Sequence, residues 1–329
     1  MNTDIPFIQY YSEINKCFEL EGCISLPTTK PYIYAGYSTA PGIVDQIDPL
    51  TFTVVKSFIA PSNHNIVSTL AYDSKYVYAG YNTKPGIVDQ INPSTMTLNN
   101  SFTGTNNYVL ALMNDGTYTY AGYGSIPGVV NQINTLSMTL NKSFTSSHNL
   151  VWSFTYDGKY IYVGYSGGAI DQINPSNMSL NKTYYGRNYN ILALTYDGTY
   201  IYAGYNISPG IVDQINPSTM TLVKSFTASS VHGAVYSLIN DGTYVYAGYN
   251  NSPGIIDKIN PSTMTLVKSF TAPNGHNTVW ALTYDGTNIY AGYKTNPGII
   301  DQINPSTMTL VRSFTALSGH NVVYGLIYC

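Results

Sequence analysis

A four-residue box, Tyr-Ala-Gly-Tyr, recurs along the chain and constrains its architecture more than any other feature. It opens at Tyr34, Tyr78, Tyr120, Tyr202, Tyr246 and Tyr290, and a seventh copy at Tyr162 carries Val163 in place of alanine. The box glycines (Gly36, Gly80, Gly122, Gly164, Gly204, Gly248 and Gly292) lie 44, 42, 42, 40, 44 and 44 residues apart. A period of about 40 to 45 residues is that of a blade of four antiparallel strands.

The last complete unit reads strand by strand. Residues 277–284 alternate apolar and smaller side chains and end at Asp285-Gly286, a hairpin turn signal. Residues 288–293 form the second strand, and Asn296-Pro297-Gly298 turns the chain into a third over 299–303. Asn304-Pro305-Ser306-Thr307 makes the next turn, with proline pre-set in φ and asparagine able to bond its own backbone. Residues 308–315 are the fourth strand. Nothing in the unit has helical periodicity.

One such sheet cannot cover its own two faces, whereas sheets stacked around an axis cover each other. The expected fold is therefore all-β, a seven-bladed β-propeller with four antiparallel strands per blade. Val67, Val109, Val151, Val235, Val279 and Val323 recur at one place in the first strands. A small residue follows two positions on (Thr69, Ala111, Ser153, Ser237, Ala281, Gly325), as expected where blades press together.

The two ends of the chain complete each other. Residues 321–328 repeat the first strand with no box after them, and the first box has no Asp-Gly hairpin before it. The segment 321–329 is thus predicted to close the ring as the inner strand of the first blade. The propeller spans 31–329, in units of about 31–63 with 320–329, 64–105, 106–147, 148–187, 188–231, 232–275 and 276–319; residues 1–30 form an N-terminal extension on or near the closure. A competing topology uses 23–26 as that first strand. Cys329 occupies the place of the turn aspartate and is expected near Thr29 or Lys30. A bridge from Cys329 to Cys17 or Cys23 would staple the clasp and restrict the unfolded chain; separate thiols, or a local Cys17–Cys23 pair, are the alternative.

Composition narrows the function classes. Charged residues make up 9% of the chain and the net charge is −3. The 14 basic residues are scattered, so the clustered charge that displaces counterions from nucleic acid is missing. No apolar run approaches a membrane span. The first 16 residues show neither the basic nor the apolar region of a secretory signal.

With the strands placed, the unit resembles the YVTN-type propeller repeat of archaeal and bacterial surface proteins. Ile289-Tyr290-Ala291-Gly292 stands where that family has its Tyr-Val strand, and Ile303-Asn304-Pro305-Ser306-Thr307 where it has Ile-Asp and a Thr-rich turn. The resemblance covers 31–329; Gly and Tyr replace the family's Asn-containing end of the box. The pairs Gly275-His276 and Gly319-His320 also resemble those of WD40 repeats, but no Trp-Asp dipeptide follows. The resemblance implies a surface or interaction role, in an extracellular, cell-surface or virion setting of an archaeon or archaeal virus, and supplies no catalytic residues.

Three sets of residues carry candidate chemistry. All five histidines (His64, His148, His232, His276, His320) fall at one repeat position, with Asn106 and Asn188 in the other two units. They are either a metal or pH-sensing ring or, as expected, structural groups that satisfy backbone within their own blades. Asp45, Asp89, Asp171, Asp213, Asp257 and Asp301, with Asn131 in the third unit, form a second ring. Their equivalence argues for scaffold, since catalytic pairs need unlike environments. The third set breaks the repeat: Ser68, Leu110, Trp152, Leu192, Tyr236, Trp280 and Tyr324 share a position but not a residue type. Its aromatic members, Trp152, Tyr236, Trp280 and Tyr324, are the candidate binding residues, with interior packing as the competing role. Sequons stand at Asn99, Asn141, Asn177, Asn181, Asn206 and Asn250.

No nucleophile elbow, phosphate loop or HExxH pattern is present. The expectation is a non-enzymatic scaffold without metal or cofactor, meeting a protein partner or a glycan on a loop face. A carbohydrate-binding propeller and a metal-dependent propeller lyase or hydrolase are the alternatives.

Overall fold

In the computed structural model, which describes residues 30–329, the described residues contain 28 strands in seven four-stranded antiparallel sheets. Blades 2 to 7 each take four consecutive strands, over 67–103, 109–145, 151–185, 191–227, 235–271 and 279–315. Blade 1 takes its inner strand from the C-terminus: Val323–Tyr328 pairs with Ile33–Tyr37, followed outward by Ile43–Asp48 and Thr53–Ile59. The inner strands neighbour one another around a closed ring within the unit Tyr32–Cys329.

Burial is deepest in the middle strands and least at the rim, and the sequence pattern explains why. In blade 7 the second strand, Ile289–Tyr293, is wholly buried, the third, Ile299–Asn304, nearly so, and the outer strand, Thr309–Thr315, mostly exposed. Both faces of the middle strands meet neighbouring blades, so the second strand reads as an apolar run and the third carries its Asp and Gln buried on hydrogen-bond partners, whereas the outer strand is mostly polar. The box glycine is set by blade-to-blade contact. A Cβ on Gly292 would lie 2.5 Å from Val323 Cγ1, and one on Gly36 would lie 2.4 Å from Val67 Cγ1. The valine row and the glycine row of adjacent blades are thus two halves of one contact.

The box tyrosines anchor the blades. The first tyrosine donates its hydroxyl to the aspartate of the preceding turn, as in Tyr78 to Asp73 (2.6 Å) and Tyr246 to Asp241 (2.6 Å). Its oxygen accepts from the third-strand glutamine, which also donates to a turn carbonyl of the next blade: Gln46 Nε2 reaches Tyr34 Oη and Pro93 O, both at 2.9 Å. The same link recurs at Gln90, Gln132, Gln172 and Gln214, and Lys258 Nζ replaces it in blade 6 at 2.9 Å from Pro305 O. Lysines of the outer strands add a second hook, as Lys56 Nζ donates to Ser94 O.

Closure uses the same devices across the chain ends. Arg312 of blade 7 donates to the carbonyls of Pro49 and Leu50 in blade 1. Cys329 exchanges two backbone hydrogen bonds with Tyr32, at 2.7 and 3.0 Å. The turn position of Cys329 pairs with Tyr32, so the hairpin pairing of the other blades (Asp285 with Asn288) is kept without the covalent turn, while Thr29 lies outside the described residues. The inner edge of blade 1 is occupied by the C-terminal strand, which displaces the competing topology. Cys17, Cys23 and the proposed bridge to Cys329 lie outside the described residues, as does the extension 1–29. Burial pushes the Cys329 thiol up to about 12.

Candidate functional site

Every inner strand contains a β-bulge at the same place. In blade 2, Val67 pairs with Tyr81 and Thr69 with Gly80, so Ser68 is the inserted residue. The bulge recurs at Leu110, Trp152, Leu192, Tyr236, Trp280 and Tyr324. A bulge re-aims a side chain, and here all seven line one central cavity of about 580 Å³. The positions that break the repeat are thus the bulge residues, and they share one space.

The wall they make is uneven. Tyr236 and Trp280 meet edge to face with ring centroids 5.0 Å apart, and Trp280 and Tyr324 lie 4.7 Å apart at 57°. Blades 6, 7 and 1 therefore present a continuous aromatic arc. Trp152 of blade 4 stands three blades from either end of the Trp280–Tyr324 pair, between Leu110 and Leu192 of the flanking blades. Ser68 leaves the remaining side open, its hydroxyl donating to Gly80 O (2.9 Å) or Val109 O (2.6 Å).

Each bulge aromatic of blades 4, 6 and 7 has its own prop, the residue after the second box tyrosine. Trp152 Nε1 donates to Ser166 Oγ at 2.8 Å, and Asn250 Nδ2 donates to Tyr236 Oη at 3.4 Å. Lys294 Nζ sits 5.6 Å from the Trp280 ring centroid, in cation–π range. Asn82 and Asn206 occupy this second ring in blades 2 and 5 and, with Asn190, line the cavity. Below the aromatics runs an apolar layer that includes Leu70, Leu112, Phe154 and Leu238. Among the described residues, no Asp, Glu, His, Lys or Arg lines the cavity.

The histidines and aspartates, read from the sequence as two rings, are one network repeated by blade. His64 Nδ1 lies 2.8 Å from Asp89 Oδ2, His232 3.0 Å from Asp257, His276 2.9 Å from Asp301, and His320 2.9 Å from Asp45. The other carboxylate oxygen accepts from an outer-strand hydroxyl, as in Ser101 to Asp89 (2.5 Å) and Ser313 to Asp301 (2.6 Å). The partner of each histidine side chain is thus a buried carboxylate of its own blade, where backbone groups were expected. The aspartate in turn ties the third strand to the outer strand and to the incoming loop.

Exceptions obey the same electrostatics. Blade 4 has a shorter second turn, Ser166-Gly167-Gly168; His148 is 3.5 Å from Asp171, and Ser146 Oγ takes the near contact at 2.8 Å. In blade 5 histidine is replaced by Asn188, and Arg187 Nε pairs with Asp213 at 3.3 Å. In blade 3 both members are neutral: Asn106 stands for histidine and Asn131 for aspartate, the latter donating to Tyr123 Oη at 3.1 Å. A fully buried carboxylate always has a basic side chain beside it. The second box tyrosines pack on these histidines at 5.1 to 5.3 Å. Their phenols are raised well above the usual range, by burial first and by the nearby aspartate second, as at Tyr81 and Tyr293.

The histidines sit one to a blade on separate carboxylates, and among the described residues no three His, Cys, Asp or Glu gather as metal ligands. Of the sequon asparagines, Asn99, Asn141 and Asn181 are outer-strand bulge residues that donate to Gln90, Gln132 and Gln172 at 2.6 to 2.7 Å. Sequence reasoning missed Arg187, which lies one residue from the histidine position, and the hydroxyl row headed by Ser57, whose recurrence before the outer-strand aromatic was a readable signal.

No protein-family model matches the chain, and no curated protein matches it. Solved structures do. A Kuenenia stuttgartiensis hydrazine synthase chain superposes with a TM-score of 0.69 at 13% identity, covering 79% of this chain and 89% of that one. The computationally designed Ika8 protein superposes with a TM-score of 0.68 at 15% identity, covering 91% of each. At these identities the likeness is one of fold: the chain is a seven-bladed β-propeller.

Proposed function

We propose that the chain is a non-catalytic binding propeller that holds its ligand in the central channel, serving as a component of a cell surface or a particle. The observation that carries this reading is that the seven inner-strand bulge positions, which differ in residue type from blade to blade and are aromatic in four, all line one cavity. The buried valine and glycine rows repeat from blade to blade, whereas the bulge position changes and faces one cavity. Histidines paired one to a blade support a binding role over a metal-dependent lyase or hydrolase. The resemblance to YVTN-type surface repeats and the low charge support an extracellular or virion setting.

The double variant Trp152→Leu/Trp280→Leu tests it, since blades 3 and 5 already fold with leucine at this position. Immobilised wild-type protein is expected to retain the envelope or particle fraction of its source, and the variant to lose that retention with an unchanged melting temperature. Equal retention by both would remove the channel from the function.

A further inference from the structure

We propose that the channel takes one uncharged sugar, its ring held between Trp152 and the Tyr236–Trp280–Tyr324 arc and its hydroxyls met by the amides of Asn82, Asn190 and Asn206. This rests on the reading of the channel as the binding site and names what enters it.

The lining argues by chemistry. A sugar has apolar C–H faces and hydroxyl edges, and the cavity offers aromatic surface beside amides. Among the described residues, the side chains of Asn82 and Asn206 make no hydrogen bond within the protein. Asn190 uses only its oxygen, accepting from Gly167 N at 3.3 Å. A wholly apolar ligand covering these amides would strip their water without replacing it, which is costly.

Charge excludes the other classes. An anionic ligand calls for a guanidinium or ammonium in the wall, and Lys294 lies outside the lining, over Trp280. A cationic ligand would find no carboxylate in the wall, because each ring aspartate is buried on a partner of its own. The volume, about 580 Å³, falls inside the range of roughly 300 to 1,000 Å³ typical of small-ligand sites. Aromatics on blades 4, 6, 7 and 1 only, with Ser68 and Leu110 between them, make room for one ligand on the axis and not for one per blade.

The chain has two tryptophans, and both line the cavity, so intrinsic emission reports occupancy. The full chain is titrated with neutral hexoses, N-acetylhexosamines and 6-deoxyhexoses, and with a uronic acid as the charged counterpart; calorimetry gives stoichiometry. The expected result is a saturable emission change with at least one neutral sugar at one per chain. Binding should be weaker by about tenfold or more in Trp152→Leu, as for a central aromatic anchor. No saturation with any neutral sugar, while the double leucine variant still loses envelope retention, would overturn the sugar and leave the channel as the binding site. Retention that survives enzymatic deglycosylation of the envelope fraction would assign the channel to a protein partner and likewise overturn it. Several sugars per chain, equal affinity for the uronic acid, or affinity unchanged in Trp152→Leu would each also reject the proposed mode.

Discussion

At the residue scale, the buried aspartates show how neighbours must vary together. Removing the base from a buried pair strands a charge in a medium that solvates it poorly, which costs more than removing both partners. Blade 3 has removed both, at Asn106 and Asn131, and blade 5 has moved the base to Arg187. We expect His64→Asn to destabilise the protein by about 3 kcal/mol, because Asp89 loses its basic partner and keeps neutral hydroxyls such as that of Ser101. The double variant His64→Asn/Asp89→Asn should recover much of that loss by reproducing blade 3. Chemical denaturation of the two variants provides the comparison, and additive costs would contradict the coupling.

The element scale shows how far the sequence could be read. Strands, turns and closure were legible because each blade repeats them, so a local signal was seen seven times. The bulges were not. A bulge is a register event between two strands, and a variable position such as 152 looks, along the chain, like any solvent-tolerant site. The histidine and aspartate rows were visible as rows, but their union was hidden by the two intervening strands and, in blade 4, by a turn two residues shorter. The glycine of the box was legible as a repeat marker, and its need became explicable once Val323 was seen against Gly292. Gly292→Ala places a methyl within 2.5 Å of a β-branched side chain with little freedom to yield. Overpacking of this kind costs about 2 kcal/mol, and a thermal melt of the alanine variant should show a corresponding fall. An unchanged melt would mean that the interface between blades 7 and 1 is looser than described.

For the whole molecule, the buried tyrosines set an alkaline limit. A phenol held above its ordinary value of 10.0 favours folding in its neutral form. That contribution is complete below pH 10, where the unfolded chain is also neutral, and is lost as pH rises towards the folded value. The Cys329 thiol acts in the same direction, from 9.0 to about 12. The second box tyrosines should ionise only together with loss of β-sheet circular dichroism. Simultaneous, non-cooperative ionisation of all 33 tyrosines at constant circular dichroism would contradict the burial described.

The inner-strand bulges have a consequence for how such a protein changes over time. Blades 3 and 5 with leucine, blade 2 with serine and blades 4, 6, 7 and 1 with aromatics keep the same frame around different occupants of that site. Under the proposed binding role, selectivity would be written in seven letters that the scaffold does not read. New tastes can be acquired by spelling changes there, without renegotiating how the blades fit.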